Sequence, residues 1–275
     1  MKKIGFIGYG HMGSVLLNSL LSAHALDPHH ILIATRTRRN LDALKATYPA
    51  IAIAVDNHEV AEKSALVFLC VGTYQVKEVL AEILPALHAQ THLVTISGGL
   101  ELASIARIFK GAVTKIMPTL IAEVHEGVTL ICHNQYVQPP EREFLVQMFR
   151  HIGEVKEIQE YQFELGADLT SCAPGLLASI CDQFVKAVVK HQDFTYAEAA
   201  EMLLQTLYGT AKLLRHNQEM FTPFINRVAT KGGATEGGVG VLEAFLPDIF
   251  DRMLTTTLQR HDARKQQTRQ QFMET

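Results

Sequence analysis

The residues whose type and spacing most plainly suit chemistry are Gly8, Gly10 and Gly13, in the stretch Ile4-Gly5-Phe6-Ile7-Gly8-Tyr9-Gly10-His11-Met12-Gly13. Gly-x-Gly-x-x-Gly after a short apolar strand and before the helix start Val15-Leu16-Leu17 suits the pyrophosphate of a dinucleotide. The first glycine allows a tight turn, the second lets phosphate approach the backbone, and the third lets helix and strand pack closely. The helix N-terminus adds unpaired N–H groups and a partial positive charge. Gly8, Tyr9, Gly10, His11 and Met12 are therefore candidate cofactor contacts. The bland reading is a glycine-rich turn with no ligand. The strand before and the helix after favour binding.

A second signal lies at the end of the next strand, Ile33-Ala34-Thr35-Arg36-Thr37-Arg38-Arg39. An NAD site usually places Asp or Glu there against the ribose 2′-hydroxyl. This chain offers hydroxyls and arginines instead, which suit a 2′-phosphate. NADPH is thus the expected cofactor, with Thr35, Arg36 and then Arg39 as contacts; an exposed basic loop is the alternative. Further strand ends supply Val71-Gly72, Ser97 and Met117-Pro118, the last shaping a nicotinamide pocket. Ser97 could equally cap the next helix.

To position these residues, the first half must alternate strands and helices. Strands are expected at Ile4–Ile7, Ile31–Ala34, Ile51–Val55, Leu66–Val71, Leu93–Ile96, Val113–Met117 and Val128–Cys132. Helices are expected at Ser14–Ala25, Leu41–Tyr48, Gln75–Leu87 and Leu100–Phe109, with a helical turn at Val60–Ser64. Such alternation implies an α/β fold with a doubly wound, mostly parallel sheet of the Rossmann type, and ligands sit at the carboxyl ends of its strands. After about residue 160 the pattern turns helical. One long or bent helix is expected from Gly166 to His191 around Pro174-Gly175. A second follows over Thr195–Arg215, then a loop over Asn226–Gly240 and a closing helix over Val241–Arg264. Gln266 onward is expected to fray. The expected domains are 1–160 for the cofactor and 161–275 for an all-helical part. In the latter, Leu203, Leu207, Ala211 and Leu214 are core or interface positions.

Bulk properties exclude other classes. With 275 residues, a net charge of −3 and 19% charged residues, the chain is not built for nucleic acid or an anionic membrane surface. No continuous apolar run reaches the ~20 residues of a membrane span, and Met1-Lys2-Lys3 does not open a signal peptide. The scattered Cys70, Cys132, Cys172 and Cys181 suit a reduced, cytoplasmic protein, and Cys172 reads as a small buried apolar residue. Among 13 histidines, His88 and His92 are four apart, with no third ligand between them, and no dedicated metal site is expected.

Taken together, several segments resemble the pyrroline-5-carboxylate reductase family. Gly5-Phe6-Ile7-Gly8-x-Gly10-x-Met12 is similar to its opening, and Ile96-Ser97-Gly98-Gly99-Leu100 to its Ile-Ser-Ala-Gly-Ile. Lys115-Ile116-Met117-Pro118 with Glu126-Gly127-Val128-Thr129 resembles its Arg-x-Met-Pro and Glu-Gly-x-Thr, and Gly232-Gly233-Ala234-Thr235 with Val241-Leu242-Glu243 resembles its late signature. Departures occur at Gly72-Thr73-Tyr74 for Lys-Pro-Gln, Thr119-Leu120-Ile121 for Asn-Thr-Pro, and Thr170-Ser171-Cys172-Ala173-Pro174-Gly175 for Ser-Gly-Ser-Gly-Pro-Ala.

The resemblance implies a carboxy-terminal dimerisation domain, a homodimer or larger ring, and an active site between the cofactor crevice and the helical layer. It implies hydride transfer to the C=N of a small cyclic imino acid. Lys231, Gly232, Gly233 and Ala234 become the candidate carboxylate cradle, a nest of N–H groups, with Thr235 as the hydroxyl donor. Thr235 could otherwise be a plain helix cap. Gly237-Gly238 would extend the loop and let it close over substrate. Two other readings stay open. One is a 3-hydroxy-acid-type dehydrogenase, for which Lys186 and Lys190 are poorly framed. The other is an NADP-binding regulator without catalysis.

Overall fold

The buried strands of the first half form where composition places them. A computed structural model describes residues 3–191 and 193–273; Met1, Lys2 and the carboxyl end of the expected 161–275 domain lie outside the described residues. The strands are β1 (Lys3–Ile7), β2 (Ile31–Ala34), β3 (Ala52–Ile53), β4 (Ser64–Leu69), β5 (His92–Thr95), β6 (Ala112–Met117), β7 (Gly127–His133) and β8 (Gly153–Glu157). The helices between them are α1 (His11–Ser22), α2 (Asp42–Thr47), α3 (Asn57–Lys63), α4 (Val76–Ile83), α5 (Leu102–Ile108) and α6 (Pro139–Arg150). Then come α7 (Phe163–Thr170), α8 (Ala173–His191), α9 (Tyr196–Asn217), α10 (Phe221–Val228) and α11 (Ala234–Met273).

The sheet order is β3-β2-β1-β4-β5-β6-β7-β8. Every pairing is parallel except β6 with β7. Ile7 pairs with Ala34 on one side and Leu69 on the other. Strand order therefore reverses at β1, and the carboxyl ends of β1, β2 and β4 splay around a crevice, the usual ligand position of such a sheet.

Alternation along the strands feeds two cores. On one face Phe6 stacks on Phe68 at 4.6 Å between centroids, and Phe149 of α6 meets Phe68 edge-on at 6.4 Å. On the other, Ile7, Val67, Leu80, Leu93 and Ile105 pack together, all essentially buried. Helix α6 and strand β8 escaped the sequence reading. β8 is a charged strand at the sheet's end, Gly-Glu-Val-Lys-Glu, with weak apolar alternation. Gly153 starts it at φ +138°, where an added Cβ would lie 2.0 Å from Gly127 O.

A polar chain crosses the interior of the sheet. His92 Nε2 and His133 Nδ1 each lie 2.7 Å from Thr114 Oγ1. The single hydroxyl proton goes to one ring, so the other ring must donate. Burial pushes both imidazoles down to about 4. His88 turns instead to Glu62 O, so His88 and His92 share no ligand.

The chain forms two compact units, Met1–Ala173 with Thr257–Thr275, and Pro174–Thr256. This division falls later than residue 160 and returns the end of α11 to the first unit. Helix α7 packs against β7, with Phe163 and Ala167 buried. The end of the chain does not fray as expected: Thr268 and Phe272 are buried, and Thr268 Oγ1 donates to Gly99 O at 2.7 Å. The expected loop over Asn226–Gly240 is also corrected, since α10 and the first turns of α11 occupy most of it. Leu207 and Ala211 are exposed and Leu203 and Leu214 half-buried, so none is core within one chain. Finally, Glu160–His191 is long and apolar enough for a membrane span by length and composition, at a mean hydropathy of 1.3. Leucine, isoleucine and valine carry that average, interrupted by polar and small residues.

Candidate active site

Gly8 follows β1 at φ +98°, and its N–H donates to Ala34 O at 2.8 Å. An added Cβ there would lie 2.5 Å from Cys70 O, so a side chain is excluded by both conformation and space. Gly13 lets α1 approach β4's end, since its Cβ would come within 2.9 Å of Cys70 Cβ. Gly10 is different: nothing lies within 4 Å of its virtual Cβ. It is exposed, it caps α1, and no side chain caps the helix's first N–H groups. A smooth backbone, an open face and an uncapped helix start fit a pyrophosphate.

Gly8, Tyr9 and Gly10 line one cleft of about 320 Å³ together with Thr35, Arg36, Thr37, Asn40, Val71 and Gly72; Gly13 lies outside its lining. A larger cavity, about 650 Å³, lies at the opposite strand ends around Lys3, Ile4, Leu66 and His92, and holds none of the expected residues. Among the arginines, Arg36 lines the cleft, whereas Arg38 donates to Val55 O at 3.0 Å. Arg39 is exposed but does not line it. A single 3₁₀ turn over Arg38–Leu41 buries Leu41 and carries Arg39 away. Tyr9 contributes backbone only, because its ring is buried and its hydroxyl donates to Asn18 Oδ1 at 2.8 Å.

Sequence reasoning missed Asn40 and Asn57 but placed the Gly72–Gln75 strand end at this crevice. Gln75 Oε1 accepts from Gly72 N at 3.2 Å, which shapes the turn after β4. The cleft also carries Glu78 and Glu82, the latter accepting from Asn57 Nδ2 at 2.9 Å. Isolated polar residues in loops carry no periodic signal, so only the fold could find these. His11 and Met12 open α1 beside the glycine turn.

Ser97, Met117 and Pro118 stand at the carboxyl ends of the neighbouring β5 and β6, outside the cleft lining. Ser97 does not cap α5, whose cap position is Glu101. Its hydroxyl is buried with no partner among the described residues, which leaves a donor and acceptor for a ligand. Gly98 makes room for Met117, whose Cε would lie 2.8 Å from a Cβ. Thr119 donates to Thr170 O at 3.3 Å, a structural role. Lys115 on β6 is fully buried, with Nζ 3.7 Å from Glu160 and 4.8 Å above the Phe163 ring, and burial pushes its amine down.

Within the second unit, Gly232 has φ +75° and donates to Glu236 Oε2 at 2.7 Å. Gly233 donates to Thr230 O at 2.9 Å. Lys231 and Thr235 are exposed, with Thr235 in the first turn of α11 just after its start at Ala234. Gly237 and Gly238 are helical, so they do not form the hinge loop that the sequence suggested.

Known proteins place this arrangement. Residues 3–99 match the family model for NADP oxidoreductase, coenzyme F420-dependent, and residues 160–264 that for pyrroline-5-carboxylate reductase dimerisation. Pyrroline-5-carboxylate reductase 3 of Bacillus subtilis is 30% identical over 98% of this chain and 100% of its own. The chain belongs to the pyrroline-5-carboxylate reductase family. It is accordingly an NAD(P)H-dependent oxidoreductase acting on a carbon–nitrogen double bond. The fold agrees. A Coxiella burnetii pyrroline-5-carboxylate reductase superposes with a TM-score of 0.87 at 24% identity, covering 96% of this chain and 98% of that one. A Plasmodium falciparum pyrroline carboxylate reductase with NADP bound gives 0.81 at 20% identity, covering 97% of both. Membership also accounts for the apolar Glu160–His191 stretch, which lies within the dimerisation match.

Proposed function

We propose that this chain reduces 1-pyrroline-5-carboxylate to L-proline with NADPH as the reductant. The reading rests on the cleft at the ends of β1, β2 and β4, where Thr35 and Arg36 stand in place of an acid. A guanidinium beside hydroxyls suits a 2′-phosphate. The NADP in the Plasmodium relative supports the choice.

NADPH, when bound, supplies a hydride from nicotinamide C4. The protein's own residues bind and orient. Gly8, Gly10 and the start of α1 hold the pyrophosphate. Ser97 and Met117 border the nicotinamide, with the unpaired Ser97 hydroxyl as a hydrogen-bonding group. Lys231, Gly232, Gly233 and Ala234 take the substrate carboxylate. The Glu236 carboxylate on Gly232 N–H is a chemical stand-in for that anion, and substrate would displace it. Thr235 donates to the substrate's nitrogen or carboxylate. Pyrroline-type imines are basic, so much of the substrate arrives as iminium and needs little acid catalysis. This fits a chain whose loops supply alignment rather than a catalytic dyad.

The homo-oligomer forms through the helical unit, and the enzyme works in the cytoplasm. The test is NADPH oxidation with 1-pyrroline-5-carboxylate, beside NADH and a six-membered imino acid. Turnover of the five-membered ring with NADPH supports the reading. Turnover of only the larger ring makes it a reductase of another imine, and tight NADPH binding without turnover makes it a regulator. Arg36→Ala should raise KM for NADPH about tenfold and change KM for NADH much less. Thr235→Ala should lower kcat/KM for the imine about 10- to 100-fold while NADPH affinity holds.

A further inference from the structure

We propose that Asp168, Cys172 and His261 form a binding site for a borderline-soft divalent cation of the zinc(II) class. One ligand atom from each lies within 4.8 Å of the others. The site is assembled from two short sequence pairs. Asp168 and Cys172 sit four apart at the end of α7, where Ser171 N and Cys172 N both donate to Ala167 O, at 2.9 and 2.8 Å, and close the helix's last turn. This closing turn keeps the Cys172 thiol beside the Asp168 carboxylate. Thr257 and His261, also four apart, share one face of α11. The two pairs meet: Thr257 Oγ1 donates to Asp168 Oδ2 at 2.7 Å, and His261 Nε2 lies 3.3 Å from Asp168 Oδ1.

Three features distinguish this from an ordinary ion pair. The Asp168 side chain is only 2% exposed and that of His261 22%, so the donors face one another rather than water. Thr257 holds one carboxylate oxygen and leaves the other for a ligand bond, the outer-sphere support that metal-bound carboxylates usually have. The charges also balance: one carboxylate, one thiolate and a neutral imidazole neutralise a divalent ion. Without an ion, burial and Asp168 hold the Cys172 thiol above its usual range, while the Arg264 charge opposes this. Cation binding would release the thiol proton to solvent and keep the single imidazole proton on Nδ1, which leaves the Nε2 lone pair for the ion. The carboxylate, thiolate and imidazole then bind the ion directly, with water in the fourth position. A mixed sulfur, nitrogen and oxygen set favours zinc or cobalt over magnesium or calcium. The consequence is structural, because the ion would clamp the end of α11 to α7.

The experiment uses chelator-treated full-length protein titrated with Co²⁺ and then Zn²⁺. The expected result is about one Co²⁺ per chain, with a thiolate-to-cobalt charge-transfer band and tetrahedral visible bands that Zn²⁺ removes. Zn²⁺ should also raise the melting temperature, as any ligand selective for the folded state does. Cys172→Ser should abolish the charge-transfer band, and His261→Gln should weaken Co²⁺ binding at least about tenfold. Thr257→Val, which keeps all three ligands, should weaken it about 10- to 100-fold. Absence of the band in the parent protein overturns the proposal. So does binding that Cys172→Ser leaves unchanged, since other histidines would then be the ligands.

Discussion

The two units of this chain treat apolar surface in opposite ways. In the first, strand residues such as Phe6, Ile33, Phe68 and Val94 are fully buried, and helices cover both sheet faces. In Pro174–Thr256, only Val185 and Ala199 among the described apolar residues are buried. There α8 exposes Leu177, Ile180 and Phe184, and α11 exposes Val241, Phe245 and Ile249, each set at helical spacing. One unit completes its core within a single chain; the other carries a core pattern that a second copy must complete. The Gly8–Gly13 turn belongs to the first unit and the Lys231–Thr235 loop to the second.

The sharpest way to break this comparison is Phe245→Asp. Placing a charge on the exposed stripe should raise the dimer dissociation constant at least about 100-fold, or ~3 kcal/mol. Light scattering across a concentration series reads this, while NADPH binding by the first unit should persist. A dimer that survives unchanged would move the interface elsewhere.

Within the first unit the glycines can be separated. Gly8→Ala should cost ~2 kcal/mol or more in stability, because it combines a positive φ with a clash against Cys70 O. Gly10→Ala meets no protein atom within 4 Å and should melt within a few degrees of the parent while weakening NADPH about tenfold. Equal stability losses from thermal melts would refute the distinct roles.

A further prediction concerns pH. His92 and His133 are pushed down to about 4 by burial, whereas the unfolded rings titrate near 6.5. Between those values the unfolded chain binds more protons. Stability should therefore be complete above about pH 6.5 and fall as pH drops toward 4. His92→Gln should flatten the slope of melting temperature against pH. An unchanged slope would assign the acid sensitivity to other groups.

Parts of this were plain in the sequence. The strand–glycine–helix opening names its own geometry, because few residues tolerate the Gly8 turn and short continuous apolar runs such as Ile31–Ala34 declare strands buried on both faces. The absence of an acid after β2 was equally visible. Other parts were not. β8 escaped because an edge strand needs little apolar patterning, and the first turns of α11 escaped because Gly237, Gly238 and Gly240 are poor helix formers that tertiary context overrides. The sequence ranked Arg36 ahead of Arg39 as a contact, but that only Arg36 lines the cleft took one 3₁₀ turn to decide.

The amino-acid sequence by itself determined most of the sheet, the glycine turn, the absence of an acid after β2 and the family. These follow from local conformation and short-range periodicity. Only the tertiary structure decided that the chain's end returns to cover Gly99, that Ser97 keeps an unpaired hydroxyl, and that His261 meets Asp168 across 93 residues. Such meetings depend on how distant helices pack, and the spacing along a chain carries no record of them.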